Sequence, residues 1–504
     1  MNPSPADVRP VQKVLVLGGG SAGLLAALTL KRRVPDLEVT VLRSPGIGII
    51  GVGEGTAIGF VTHLLDYLKI DPNDFYREAE PTWKLGLKFT WGRRKQPFYY
   101  SFGQEYSRQW KGMSRTIGFY CDDDATLANI GPFSALMEAD RVFAQRPDSK
   151  PDIHRYYSYH LENKKLAAWL ESACRKERIG FMEATVTEVT TGEQGVKSLH
   201  TEDGRKIKAD LYVDASGFRS ELLGKAMDVP FLPYDDVLYC DRAIVGGWAR
   251  TDEPVHPYTT CDTMDAGWCW QIEHEHLINR GYVFSSGFLS DDEAEAEFRQ
   301  ANPKITGDTR VVRFRAGRYE RIWEKNVVAI GNASGFVEPL EATALQVIAL
   351  ESRTLADVLS DGAGRVTPTL RRQFNRFNTV NWDDVRDFLA LHYKYNEQRD
   401  TEFWRHCRAN SPLGRAADVV ELYQENGPVV SALGAAVPHD GQFGLEGYLA
   451  LLVGMGVPHA GQHRATPEER KALQHGLSIY QKGAQAGMSV VESLNAIRKH
   501  GVPA

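Results

Sequence analysis

Residues 13–24 read Lys-Val-Leu-Val-Leu-Gly-Gly-Gly-Ser-Ala-Gly-Leu, and the fold turns on how that stretch is joined. The apolar run Lys13 to Leu17 stops at glycines, which predicts a short strand ended by a tight turn. The alanine- and leucine-rich stretch from Ser21 to Arg32 predicts a helix. Between them Gly18, Gly20 and Gly23 form GxGxxG, the spacing of a dinucleotide fingerprint in its proper strand-turn-helix context. Gly18 permits the turn, Gly20 lets backbone approach a pyrophosphate, and Gly23 lets helix and strand pack closely. Ser21 and Ala22 open the helix, whose N-terminus faces the anion. A second strand is expected from Glu38 to Leu42, completing a βαβ unit with parallel strands.

An acidic residue usually closes that second strand to bind a ribose hydroxyl. Here the position holds Arg43, with Glu38 at the strand start, so NADP through a 2′-phosphate stays open alongside FAD. Two later segments weigh on that choice. A strand from Ala209 to Val213 leads into Asp214-Ala-Ser-Gly217, and a strand from Asn326 to Ile330 leads into Gly331-Asn-Ala-Ser-Gly-Phe-Val-Glu-Pro339. Both resemble FAD-contacting stretches of the hydroxybenzoate hydroxylase-like flavoproteins. Asn332 stands where that resemblance usually has aspartate, keeping a hydrogen-bonding side chain without the charge. Asp214, Gly331 and Asn332 therefore join the candidate cofactor contacts. So do Gly51 and Gly53, in the glycine-dense loop of residues 44–56, SPGIGIIGVGEGT.

With 504 residues, 42% hydrophobic and 25% charged, the chain has ordinary globular composition and enough apolar surface for more than one structural region. The net charge of −6 is spread without a basic run, which speaks against a nucleic-acid partner. Residues 1–12 lack a basic start followed by an apolar stretch, and no segment reaches the roughly 18 apolar residues of a membrane span. The expectation is a cytoplasmic protein with no membrane partner. Six scattered cysteines, Cys121, Cys174, Cys240, Cys261, Cys269 and Cys407, form no CxxC and point to no metal site. Beyond about residue 380 strand signals fade, so a core over residues 1–385 and a mainly helical substrate-side region over 386–504 are expected. Helical segments are anticipated there at Thr401 to His406 and Gly444 to Val453.

Three further motifs bear on chemistry. Residues 82–90, TWKLGLKFT, alternate like a strand, with Lys84 and Lys88 on one side. Trp268, Trp270 and Ile272 form WxWxI and would project from one strand face. Glu338-Pro-Leu-Glu341-Ala342-Thr343 precedes a helix in which Leu345, Ile348, Ser352 and Leu355 recur at helical spacing. In this order, with GxGxxG and GVGEGT before them, these motifs resemble the flavin-dependent tryptophan-type halogenases over nearly the first 350 residues.

The resemblance implies an α/β fold, with an FAD-binding Rossmann-like core of the hydroxybenzoate hydroxylase type, additional β-sheet and a helical C-terminal region. It implies reduced FAD, oxygen and chloride or bromide as reactants, with hypohalous acid travelling to Lys84. By spacing alone Lys88 is an equal candidate; the resemblance selects Lys84. It also implies that Glu341 removes the ring proton, that Thr343 and the backbone of Ala344 seat halide, and that Trp268, Trp270 and Ile272 shield the flavin from substrate. The family motif usually ends in proline where this chain has Glu273, and a serine commonly follows the glutamate where this chain has Ala342.

In Phe98-Tyr-Tyr-Ser-Phe-Gly103, Tyr100 and Phe102 match positions flanking the aromatic substrate, and their rings are suited to stacking on it. The C-terminal region does not repeat the tyrosine-rich lid of free-tryptophan enzymes, which favours an indole or another electron-rich arene within a larger molecule. No second nucleotide fingerprint follows, so a separate flavin reductase is expected to supply FADH2. The competing reading is a flavin-dependent aromatic monooxygenase, hydroxylase or epoxidase, which would share the FAD segments but would leave the flavin open to substrate. A non-catalytic flavin module has no reason to keep the lysine, the glutamate and the tryptophans together.

Overall fold

Leu17, Asp214 and Ala329 end three neighbouring parallel strands at one edge of a sheet. In the computed structural model, which describes residues 9–48, 53–104, 106–107, 111–115 and 126–502, Lys13–Leu17 lies between Leu211–Asp214 and Glu38–Arg43. Val327–Ala329 pairs parallel with Leu211–Asp214, Gly180–Glu183 with Glu38–Arg43, and Trp323–Glu324 adds one antiparallel edge. The helix Ser21–Arg33 follows the first strand and buries Gly23 through Leu30, while Lys31, Arg32 and Arg33 complement the negative end of its dipole. This is the doubly wound arrangement expected from the first βαβ unit, and ligands bind such sheets at their strands' carboxyl ends.

A second sheet of seven strands carries the tryptophan motif. Its order is Arg310–Arg313, Arg242–Ala249, Leu277–Phe284, Gly267–Glu273, Tyr258–Met264, Gly86–Thr90 and Phe98–Ser101. Trp268, Trp270 and Ile272 pack together in one core, and Cys269 faces another, so the alternation expected of WxWxI holds. Gly281 lies opposite Trp270 in the ladder. A Cβ there would sit 1.9 Å from the indole, so only glycine leaves the ring room to lie across the neighbouring strand.

Residues 82–90 form two strands rather than one. Thr82–Lys84 belongs to a small sheet with Ser158–Leu161 and Glu54–Gly55, whereas Gly86–Thr90 belongs to the large sheet. The ladder changes partners at Leu85, whose N–H donates to Pro257 O and whose C=O accepts from Phe102 N, both at 2.7 Å. Lys84 and Lys88 therefore occupy different sheets, which a continuous alternation cannot foresee.

After Gly335–Phe336 the described elements are helical. The division expected between residues 385 and 386 falls inside one helix, Pro368–Lys394. Val385, Phe388 and Tyr393 from that helix share a core with Trp268, Trp270 and the helix Gly444–Gly454. The helical part thus seals the side of the large sheet that bears the tryptophans. No helix among the described residues is long and apolar enough to cross a membrane.

Candidate active site

The three glycine-bearing turns meet at the carboxyl edge of the parallel sheet. Gly18 has φ +131°, and a Cβ on it would lie 2.2 Å from Ala215 O. A Cβ on Gly331 would lie 3.0 Å from that of Ala22. The fingerprint thereby touches both later segments at once, with Ser21 and Ala22 in the first helical turn. Gly23 is closed off too, since a Cβ there would sit 2.0 Å from Gly18 O, whereas one on Gly20 would meet nothing within 4 Å. An open cradle at Gly20 between two closed glycines fits a pyrophosphate approaching the helix N-terminus. Arg43, the possible 2′-phosphate ligand, is committed to Glu171 at 2.6 Å and Glu183 at 2.7 Å.

Asp214 and Gly331 brace this region. Asp214 is buried, with Oδ1 accepting from Ser216 N and Oγ and Oδ2 from Leu222 N and Leu223 N. Its carboxylate organises the turn after the strand. Gly331 N donates to Glu351 Oε2 at 2.7 Å, and burial pushes Glu351 up to about 8. Asn332 lines the adjoining cavity together with Gly53, Glu54, Gly55, Trp270, Ile272, Pro339, Ala342 and Ala344. Asn163 closes the loop before it, accepting from Gly53 N at 2.9 Å and donating to Glu54 Oε1 at 2.8 Å. Gly51 lies outside the described residues. The cradle, the converging turns and this apolar cavity suit FAD.

Lys84 sits beyond the cavity wall. A Cβ on Gly55 would come within 3.3 Å of Lys84 Nζ and 3.5 Å of Ala342 Cβ, so the ammonium and the residue after Glu341 flank one point. Lys84 is fully buried, and Nζ has no hydrogen-bond partner among the described residues. It lies 5.3 Å from the centroid of the Phe102 ring. Burial pulls its pKa down to about 8, against the opposing pull of Cys261 and Glu341. Lys88 instead stands over Tyr99 and Tyr258. Tyr100 lies on the same strand-to-loop segment as Phe102, and burial raises its phenol well above the ordinary value, helped by the charge of Glu341.

The two glutamates of the EPLE turn have separate jobs. Glu338 Oε2 accepts from Trp268 Nε1 at 2.9 Å and from the Tyr393 hydroxyl at 2.7 Å. Burial pushes Glu338 up to about 7. Glu341 Oε1 pairs with His392 Nε2 at 2.8 Å. Pro339–Glu341 forms a single helical turn, Ala342 follows with φ +55°, and Thr343 leads into the helix Ala344–Asp361. Its first-turn N–H groups have no intrahelical acceptor, which suits a halide seat at Thr343 and Ala344.

Sequence reasoning missed His392, Tyr393 and the partner of Glu273. The first two act on residues 51 and 55 positions away, a separation with no local signature. Glu273 is fully buried, paired with Arg250 at 2.5 Å, and its C=O accepts from Thr82 Oγ1. The strand therefore continues where the family resemblance has proline, and it is tied to the strand that ends in Lys84.

The chain is similar to known proteins over nearly its whole length. A family model described as tryptophan halogenase matches residues 13–468. Tryptophan 6-halogenase ThaL of Streptomyces albogriseolus is 30% identical, with 96% of this chain and 97% of that protein covered. Tryptophan 7-halogenase RebH of Lentzea aerocolonigenes is 32% identical, with 81% and 80% covered. Among solved structures, MibH, a lathipeptide tryptophan 5-halogenase, has a TM-score of 0.89 at 34% identity, covering 99% of this chain and 95% of that one. BrvH, a flavin-dependent halogenase from Brevundimonas sp. BAL3, has a TM-score of 0.84 at 27% identity, covering 98% and 100%. Matched by that family model from its first strand to its C-terminal helices, the chain belongs to the tryptophan halogenases, flavin-dependent enzymes that use FADH2, a halide ion and O2.

Proposed function

We propose that the chain halogenates an indole ring, carried on a molecule larger than a free amino acid, with hypohalous acid delivered by Lys84 and the ring proton removed by Glu341. The observation that carries this reading is the fully buried Lys84 ammonium over Phe102, without a hydrogen-bond partner among the described residues and with Glu341 close enough to act on its charge. A buried donor left unpaired costs stability, so a ligand for it is the natural counterpart. Bound FADH2 supplies hypohalous acid from O2 and halide. The cavity wall at Trp270 and Ile272 keeps an aromatic substrate from that side, while Gly55 and Ala342 border both the cavity and the lysine. The ammonium donates to the oxygen of HO–X and so polarises the halogen toward the ring. Thr343 and Ala344 hold the halide before it reacts, and Tyr100 and Phe102 flank the substrate.

ThaL and RebH are named as tryptophan halogenases, and MibH as a lathipeptide tryptophan 5-halogenase. Together with a C-terminal sequence that does not closely repeat a tyrosine-rich lid, this favours a peptide-borne indole. FADH2 comes from a separate reductase. The test combines the protein with FAD, a flavin reductase, NADH and bromide or chloride, against free tryptophan, indole and tryptophan-containing peptides, read by mass spectrometry. Halogen isotope patterns on a peptide, and photoreduced FAD replacing the reductase, are the expected results. No halogenated product across the panel overturns the reading, and oxygenated product without halide would support the monooxygenase instead.

A further inference from the structure

His392 meets two polar atoms inside an otherwise aromatic cage. It is fully buried, with the rings of Phe89, Trp91 and Phe388 centred 5.4, 5.7 and 5.7 Å from its own. Nδ1 lies 3.2 Å from Phe388 O and Nε2 lies 2.8 Å from Glu341 Oε1. A carbonyl only accepts, so Nδ1 carries its hydrogen, and the contact with Glu341 holds one further proton. Glu341 Oε2 makes no hydrogen bond with any described residue. A carboxylate turns freely about its last torsion unless something holds it.

We propose that His392 is the positioning residue for ring deprotonation, holding Oε1 of Glu341 so that Oε2 is the oxygen aimed at the substrate. The inference rests on Glu341 being the proton acceptor. Once the halogen has bonded to a ring carbon, the C–H bond there breaks. Its electron pair returns to the ring, and the proton passes to Oε2. Hydroxide released from HO–X takes a proton from the Lys84 ammonium and leaves as water. The proton on Glu341 then restores Lys84, while the proton shared with His392 stays in place throughout.

The test compares His392→Leu, His392→Gln and His392→Asn in single-turnover halogenation with preloaded FADH2, using the panel compound that takes halogen in ordinary and ring-deuterated form. His392→Leu is expected to slow product formation on the order of 100-fold, the scale of a misplaced catalytic group. It should also uncover a primary ring isotope effect absent from the parent enzyme, with FAD affinity and KM unchanged. His392→Gln, whose amide still reaches Oε1, keeps most of the rate and shows no isotope effect. Where the leucine variant folds poorly, the shorter His392→Asn supplies the same contrast with glutamine. Parent-like rates in the leucine and asparagine variants, or slowing without an isotope effect, overturn the proposal. Glu341→Gln separates the two ideas: parent-like activity there refutes the role of Glu341 itself, whereas inactivity there with an unaffected His392→Leu refutes only the positioning role.

Discussion

The hydroxyl of Tyr393 and the indole N–H of Trp268 donate to one oxygen of Glu338, at 2.7 and 2.9 Å. That shared acceptor ties the tryptophan strand of the large sheet to the end of the helix Pro368–Lys394. The preceding residue of the same helix, His392, holds Glu341. Two successive side chains of one helix thus grip both carboxylates of the EPLE turn, and the helical part of the chain is built into the site.

Glu338→Gln keeps an acceptor oxygen for both donors and removes a carboxyl that burial pushes up to about 7. A raised acid favours the folded state fully below its unfolded value, and that benefit is lost as pH rises through 7. Thermal melts should show the glutamine variant gaining on the parent as pH climbs from about 5 to 8, by up to about 3 kcal/mol. Glu338→Ala strands two buried donors and should cost about 2–4 kcal/mol. It should also release Trp268 and divert O2 to hydrogen peroxide, measured as halogenated product per O2 consumed.

Lys84→Met should abolish halogenation, leave FAD bound and raise the melting temperature at pH 7. The parent keeps a buried ammonium with no hydrogen-bond partner among the described residues, and its pKa falls from 10.5 to about 8. For a base with a lowered folded value the penalty is complete below pH 8 and fades as pH approaches 10.5. The methionine variant's advantage, on the order of 3 kcal/mol at neutral pH, should therefore shrink at pH 9.5. Equal melting at both pH values, or activity retained, would count against the assigned role.

Single-turnover halogenation should decline as pH rises through about 8, because the role proposed for Lys84 requires its ammonium form. Preloaded FADH2 keeps the reductase out of the profile. A rate that climbs through the same pH would identify the neutral amine as the working form and a haloamine as the carrier.

Gly20→Ala introduces a methyl group that meets no protein atom within 4 Å, on backbone at φ −84° that alanine adopts readily. Apoprotein melting should be unchanged while FAD affinity, followed by flavin fluorescence, falls. Gly23→Ala places the same methyl 2.0 Å from Gly18 O and should destabilise the apoprotein itself. Unchanged FAD affinity in Gly20→Ala would move the pyrophosphate elsewhere.

The βαβ unit, the helix from Ser21 and the one-sided WxWxI strand were legible in the sequence because each is a local pattern with a fixed geometric period. The choice between Lys84 and Lys88 was not legible from spacing, since the strand break at Leu85 depends on Pro257 and Phe102, which approach from other parts of the chain. The position expected to divide core from helical region, residue 385, lies within a helix for a related reason. Fading strand signals report composition, whereas a helix crossing that point reports packing against the tryptophan sheet.

The parallel flavoprotein core could be read from the chain alone, because turn chemistry and side-chain period are written within a few neighbouring positions, and the lysine, glutamate and tryptophan motifs proposed for halogen transfer stand out there through their order. Packing in three dimensions settled which carboxylate anchors Trp268, which one is held by an imidazole, and that Glu273 pairs with Arg250. Those assignments depend on burial and on partners tens of residues distant, and desolvation is a property of the packed interior that no linear stretch of chain contains.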